Sequence, residues 1–191
     1  SAYGGIVAVN REVGEDLAKE IAATFIEVLI APSYTDTARS VLATKENLRI
    51  LVLPQEKPHD EIRTIDGGAL VQRETSFCEE WQVVTHRDPT AAEEAAMLLA
   101  MKVCKHTKSN AIVFADSTKA IGIGAGQMNR VDSARIAVSR SLSSLKGTAV
   151  ASDAFLPFPD TLQVAAEAGA TALIQPGGSI RDEEVIAEAN R

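Results

Sequence analysis

Ala111-Ile112-Val113-Phe114-Ala115-Asp116-Ser117-Thr118-Lys119-Ala120-Ile121-Gly122-Ile123-Gly124-Ala125-Gly126 sets two short apolar runs around a polar turn and ends in alternating glycines. The runs Ala111–Phe114 and Lys119–Ile123 read as strands joined in a hairpin by Asp116-Ser117-Thr118. A helix pattern follows from Val131 to Leu145, with Val131, Ala134, Val138, Leu142 and Leu145 on one face and Asp132 as its expected cap. Upstream, Thr90–Val103 repeats helical spacing through Ala92, Ala95, Ala96, Leu99 and Val103, preceded by a short strand at Gln82–Thr85. Downstream come strand Thr148–Ala151, helix Thr161–Ala168, strand Thr171–Ile174 and a helix from Asp182 to Arg191.

The first third of the chain repeats the alternation. Ile6–Val9, Glu27–Ala31 and Leu48–Leu53 read as strands, the last two stopped by Pro32 and Pro54. Between them lie a helix with Leu17, Ile21, Ala22 and Phe25 on one face and a second at Thr35–Ala43. Asp66-Gly67-Gly68 inside Ile62–Glu74 predicts a hairpin. Strands alternating with helices predict an α/β fold whose sheet is largely parallel, and the two hairpins make it mixed.

The 191 residues suffice for one large domain or two small ones. A net charge of −7 argues against a phosphate-backbone binder, so no nucleic-acid partner is expected. No apolar run has the ~18 residues of a membrane span, so no membrane partner is expected either. Two cysteines, Cys78 and Cys104, make no disulfide framework, and the default compartment is the reducing cytoplasm. His59, His86 and His106 have no metal-ligand spacing with them, so no zinc is expected. An apolar strand at the start and an unfinished helix at the end predict a piece of a longer protein.

Four segments concentrate polar chemistry. Lys105-His106-Thr107-Lys108-Ser109-Asn110 gathers donors and positive charge between a helix and a strand; it is either a site or a solvated connection. The glycines of Gly122–Gly126 serve either a tight turn or close approach of a ligand, and their spacing is not the dinucleotide fingerprint. Arg130 after them offers a fixed fork for a phosphate or amide oxygen. Ser152-Asp153-Ala154-Phe155-Leu156-Pro157-Phe158-Pro159-Asp160 follows a predicted strand at the sheet edge where α/β folds bind ligands. There Asp160 and Gln163 fit an N-cap and its N3 partner. Gln175-Pro176-Gly177-Gly178-Ser179 reads as a structural turn, with Ser179 and Asp182 as a capping pair.

Together with Ser1-Ala2-Tyr3-Gly4-Gly5-Ile6-Val7-Ala8, Glu27–Pro32 and Lys108–Val113, the segments Gly122–Arg130, Ser152–Phe158 and Gln175–Ser179 closely resemble a purine-biosynthesis family. This is the bifunctional AICAR transformylase/IMP cyclohydrolase family. The resemblance spans the chain and implies a cytidine-deaminase-like, three-layer α/β/α fold. It implies that residues 1–191 are part of the transformylase region, the second cytidine-deaminase-like subdomain plus a preceding segment. The cyclohydrolase domain and the upstream Lys-His pair used in catalysis are then absent from this sequence, and Lys105-His106 is not that pair.

The implied activity is transfer of a formyl group from 10-formyltetrahydrofolate to AICAR, with IMP cyclohydrolase activity in the absent domain. Asn110 takes the catalytic role, with Arg130 beside it at the formyl-transfer end. Glu27 is implied near the nucleotide and Tyr3 with Gly4 near the base, while Phe155, Pro157 and Phe158 border the folate. Thr107, Ser109 and Asp153 match a monovalent cation site, potassium by the resemblance. Leu156 and Thr161 depart from the family's pattern. The resemblance further implies a homodimer of the full enzyme. The sequence by itself is expected to be inactive. The alternative is a non-catalytic nucleotide- or folate-binding or dimerisation module of the same fold.

Overall fold

The computed structural model describes residues 3–54, 60–73 and 81–191. The chain divides into two compact units, Ser1–Thr75 and Ser76–Arg191.

The first unit runs β1 (Ile6–Ala8), α1 (Glu15–Ala22), β2 (Val28–Ala31), α2 (Asp36–Leu42), β3 (Arg49–Val52), β4 (Asp60–Ile65) and β5 (Gly68–Arg73). Strands β1, β2 and β3 form a parallel sheet with Val7 beside Leu29 and Leu29 beside Ile50. Helices α1 and α2 close a core in which Ala18, Ile21, Ala38 and Leu42 meet Leu29 and Ala31. Thr35 caps α2 by accepting the Ala38 N–H at 3.1 Å. The buried Tyr34 hydroxyl lies 3.0 Å from both Leu29 O and Leu51 O, tying β2 to β3, and burial pushes its pKa up. The expected hairpin is β4–β5, with Ile65 opposite Gly68 and Gly67 at φ +76° in the turn. Every residue of both its strands is exposed.

The second unit runs α3 (Ala91–Lys105), β6 (Ile112–Ala115), β7 (Ala120–Gly124), α4 (Arg130–Ser139), β8 (Ala149–Ser152), α5 (Asp160–Glu167), β9 (Ala172–Ile174) and α6 (Asp182–Ala189). Its sheet has the order β7-β6-β8-β9. Strand β6 is buried along its whole length and splits its side chains by parity. Ile112 and Phe114 join Val150, Ala134 and Ala137 of α4, Ala165 of α5 and Val185 of α6. Val113 and Ala115 join Ala100 and Cys104 of α3. The sheet therefore lies between α3 and the other three helices, a three-layer α/β/α arrangement.

The β6–β7 turn is locked by Asp116, whose Oδ1 accepts the Thr118 and Lys119 N–H groups at 2.7 and 2.9 Å. Hydrogen bonds from Thr118 foremost hold this carboxyl below the usual carboxylate range. Thr90 and Glu93 close a full capping box on α3. Arg87 grips the Glu93 carboxylate at 2.8 and 2.9 Å and donates to Thr171 O at 2.7 Å, which fastens the start of α3 to the approach to β9.

Several expectations are corrected. The largely parallel sheet holds for β1-β2-β3, but β6 is antiparallel to both β7 and β8, leaving only β8–β9 parallel in the second sheet. The cause is the tight β6–β7 hairpin and the return of the chain through α4 to the other side of β6. Gln82–Thr85 is not a strand: its two valines are exposed, and the next backbone donor, His86 N–H, goes to the Asn190 side chain at 2.8 Å. Helix α4 stops at Ser139 rather than Leu145. The Leu142 N–H turns away to Ile121 O at 3.0 Å, so Leu142 is 81% exposed while Leu145 returns to the core. Asn129, not Asp132, caps α4 by accepting the Asp132 N–H at 2.8 Å. Asp160 is the first residue of α5 rather than its cap.

Candidate functional site

Strand pairing sets the geometry. Ile112 opens β6 opposite Gly124 and Ser152, the last residues of β7 and β8, and Ala151 pairs with Ile174 at the end of β9. The antiparallel turn of β6 thus brings the α3–β6, β7–α4 and β8–α5 loops to one edge of the sheet, with the loop after β9 beside them.

Asp153 is the hub. Its Oδ1 accepts the Ala111 N–H at 3.1 Å and Arg130 Nη2 at 3.4 Å, and its Oδ2 accepts the Ser109 hydroxyl. The Arg130 and Asp153 side chains are 17% and 15% exposed, so their attraction is only partly screened by water. Asn110 donates through Nδ2 to Gln127 O at 2.8 Å, and its own carbonyl accepts the buried Ser133 hydroxyl at 2.7 Å. The Ser109–Asn110 peptide bond is cis. Gly126 N–H donates to Lys108 O at 2.8 Å, closing the first loop onto the second. Ser109, Asn110, Arg130 and Asp153, expected as site residues from three separate segments, form one network.

The glycines of β7 have a packing reason. A Cβ on Gly124 would lie 1.8 Å from Ser133 O, and one on Gly122 would lie 2.5 Å from Ala137 O. Helix α4 therefore rests on the bare backbone of β7, which carries Arg130 and Ser133 up to the Asn110 loop. Gly126, at φ +67°, makes the turn between them.

Thr107 lies one residue beyond the C-cap of α3 and donates to Val103 O at 2.7 Å. Cys104, on the inner face of α3, donates to Ala151 O at 3.3 Å; burial first, and the Asp153 charge second, push its thiol up to about 12. It is packed and protonated rather than nucleophilic. In the third loop Leu156 is fully buried, while Phe155 and Phe158 on either side remain 43% and 46% exposed. Gln175, which the sequence places in a structural turn, reaches back to accept the Leu156 N–H at 2.5 Å. Ser133 and Gln127, which bond to Asn110, were given no role by the sequence, and Gln175 was read only as part of a turn. A small polar residue one helical turn into α4 is the only local hint of Ser133.

Tyr3, Gly4 and Glu27 belong to the first unit and gather at the leading ends of β1 and β2. Gly4 N–H donates to Phe25 O at 3.0 Å, and the Tyr3 ring lies 5.1 Å from the Phe25 ring. Gly4 has φ +74°, and the Glu27 carboxylate would stand 3.1 Å from any Cβ there. A cavity of about 420 Å³ nearby is lined by Phe25, Ile26, Lys45 and Asn47, with none of those three residues in its wall. His59 and Cys78 lie outside the described residues. Among the described residues, no helix is long and apolar enough to cross a membrane.

The family model described as "AICARFT/IMPCHase bienzyme" matches residues 1–140. The chain is 52% identical over 200 residues to "Bifunctional purine biosynthesis protein PurH" of Myxococcus xanthus (strain DK1622), covering 100% of this chain and 39% of that protein. It is 53% identical over 207 residues to the protein of the same name from Rhizobium meliloti (strain 1021), with the same coverage. It is 49% identical over 197 residues to that of Halalkalibacterium halodurans, again covering all of this chain and 39% of the relative. The chain thus spans about two-fifths of the length of these relatives. With more than half of its residues inside the family match, and a partly exposed polar network on residues that carried the resemblance, the chain belongs to the AICARFT/IMPCHase bienzyme family.

Proposed function

We propose that the chain supplies part of an AICAR formyltransferase of purine biosynthesis, in a protein that also has IMP cyclohydrolase activity. The observation that carries this reading is the Asp153 network, which holds Asn110 and Arg130 at one sheet edge in a chain of this family. The reaction joins the 5-amino nitrogen of AICAR to the formyl carbon of 10-formyltetrahydrofolate. The tetrahedral oxyanion collapses with breakage of the bond to N10, which leaves with a proton as tetrahydrofolate. The amine is a poor nucleophile because its lone pair is conjugated with the ring, so positioning and oxyanion stabilisation must provide much of the rate.

Asn110 is suited to this. Gln127 O takes one of its amide protons and fixes the side chain, and the other is available to the developing oxyanion. Arg130, anchored by Asp153, faces the carboxamide of AICAR. Phe155, Pro157 and Phe158 offer apolar surface to the folate ring, and Tyr3, Gly4 and Glu27 serve the nucleotide. Asp153 accepts from three donors, and the proton acceptor that the resemblance implies is the histidine of the upstream Lys-His pair, which this sequence lacks. As the resemblance implies, Thr107, Ser109 and Asp153 would hold a potassium ion through their oxygens; Ser109 and Asp153 are hydrogen-bonded to each other, and the Thr107 hydroxyl donates to Val103 O. The second unit is read as cytidine-deaminase-like on its three layers, and the working protein as a cytoplasmic homodimer.

Calorimetric titration of the 191-residue chain with AICAR tests the reading. Binding is expected, weakened at least about tenfold by Asn110→Ala or Arg130→Ala through the lost hydrogen bonds. An unaltered chain that takes up no AICAR would overturn it. No release of tetrahydrofolate is expected from the chain alone.

A further inference from the structure

The Gln175–Arg181 segment, between β9 and α6, touches the aromatic loop after β8 at two separate points. Gln175 Oε1 accepts the Leu156 N–H at 2.5 Å. Six residues on, the Arg181 guanidinium carbon stands 4.8 Å from the centre of the Phe158 ring, within cation–π range. The segment is itself held. Gly178 N–H donates to Asp182 Oδ2 at 2.7 Å, Arg181 N–H to Ser179 Oγ at 3.1 Å, and Arg181 Nε to Glu184 at 2.7 Å. Gly177 and Gly178 both have positive φ, at +70° and +96°, so the path of this strap requires glycine.

One contact falls on a buried anchor, Leu156, and the other on Phe158 two residues later. Leu156 is fully buried in the core beneath α4 and α5, and the Gln175 bond satisfies the one backbone donor that its burial would otherwise strand. Leu156, set between Phe155 and Phe158, is thus held by the core on one side and by Gln175 at its amide. Arg181 then covers part of the Phe158 ring.

We propose that Gln175 and Arg181 are positioning residues: they brace the Phe155–Phe158 loop so that its aromatic surface is set before a planar ring ligand arrives. The ligand class, a formyl folate, rests on the function proposed above. Preset aromatic surface reduces the ordering cost of binding, so the brace acts on folate affinity and leaves AICAR affinity unchanged.

The test uses the 191-residue chain with Gln175→Leu, which removes the acceptor at similar volume, and Gln175→Glu, which keeps an oxygen there. Hydrogen exchange at the Leu156 amide is expected to speed up about tenfold in Q175L and to stay near the parent rate in Q175E. Titration with 5-formyltetrahydrofolate is expected to show weaker binding for Q175L, recovery in Q175E, and the same AICAR affinity in both. An unchanged Leu156 exchange rate in Q175L overturns the brace. Faster exchange with undiminished folate affinity overturns its positioning role. If the parent chain takes up AICAR but no folate, the folate reading of the loop fails, and the exchange result still decides the brace. Should Q175L fail to fold, Arg181→Gln removes the cation over Phe158 without touching a backbone bond. It is expected to weaken folate uptake at an unaltered melting temperature; equal uptake overturns the proposal.

Discussion

The carbonyl oxygen of Ser133 occupies the space where a side chain on Gly124 would begin, 1.8 Å from the position of its Cβ. The contact is backbone to backbone, so no rotamer change relieves it. Gly124→Ala is expected to cost about 3 kcal/mol or more, by forcing α4 off β7. Urea unfolding of the variant beside the parent measures this. An Ala at Gly68, where a Cβ meets nothing within 4 Å, serves as the control.

Asp153→Asn keeps the shape of the hub and removes its charge, leaving Arg130 without its carboxylate. A loss of about 2 kcal/mol in stability is expected from weakened charge-assisted hydrogen bonds. AICAR binding is expected to fall further than stability alone explains, because Asn110 and Arg130 lose their common tether. Unfolding and calorimetry on the same preparation separate the two effects.

Glu93 gives a pH-dependent signature. The Arg87 hydrogen bond, reinforced by the α3 cap, holds its carboxyl well below the usual carboxylate range. Its unfolded form takes up a proton near pH ~4.3 while the folded form does not, so its contribution is complete above that pH and drains away below it. Glu93→Gln is expected to be less stable than the parent at pH 7, with the gap narrowing as the solution is acidified through pH 4 toward 3. Denaturant midpoints across that range test the trend.

Cys104, with its thiol pushed up to about 12, is expected to resist a disulfide reagent at pH 8 in the folded protein. Unfolding in guanidinium removes both the burial and the Asp153 charge, and rapid labelling follows. A Cys78→Ser background leaves one thiol, so the colour yield reports Cys104 alone.

Elements governed by local spacing were legible in the sequence. The Asp66-Gly67-Gly68 hairpin, the Asp116 turn and the apolar face of α3 all follow from residues a few positions apart. Features decided at long range were not. Val83 and Val84 have strand propensity, but the bonds around them go to Asn190 and Thr171, about a hundred residues away. The direction of β8 against β6 depends on how α4 crosses the sheet, which no periodicity records. Asn110, Arg130 and Asp153 stand in polar loops that residue type marks, but their roles are implied by the resemblance alone, and their meeting depends on that antiparallel crossing. Gln175 was hidden because its partner is a backbone amide, which every residue offers.

Strand β6 faces two unlike neighbours, and this constrains how the protein tolerates change. Toward α3 it presents Val113 and Ala115 to Ala100 and Cys104, a fully buried seam of small side chains, where added bulk is expected to overpack. Toward α4 it presents Ile112 and Phe114, where truncation leaves a hole that the rigid glycine-seated helix cannot sink to fill. Sequence drift along this one strand is thus limited in opposite senses at alternate positions, by bulk on one side and by vacancy on the other.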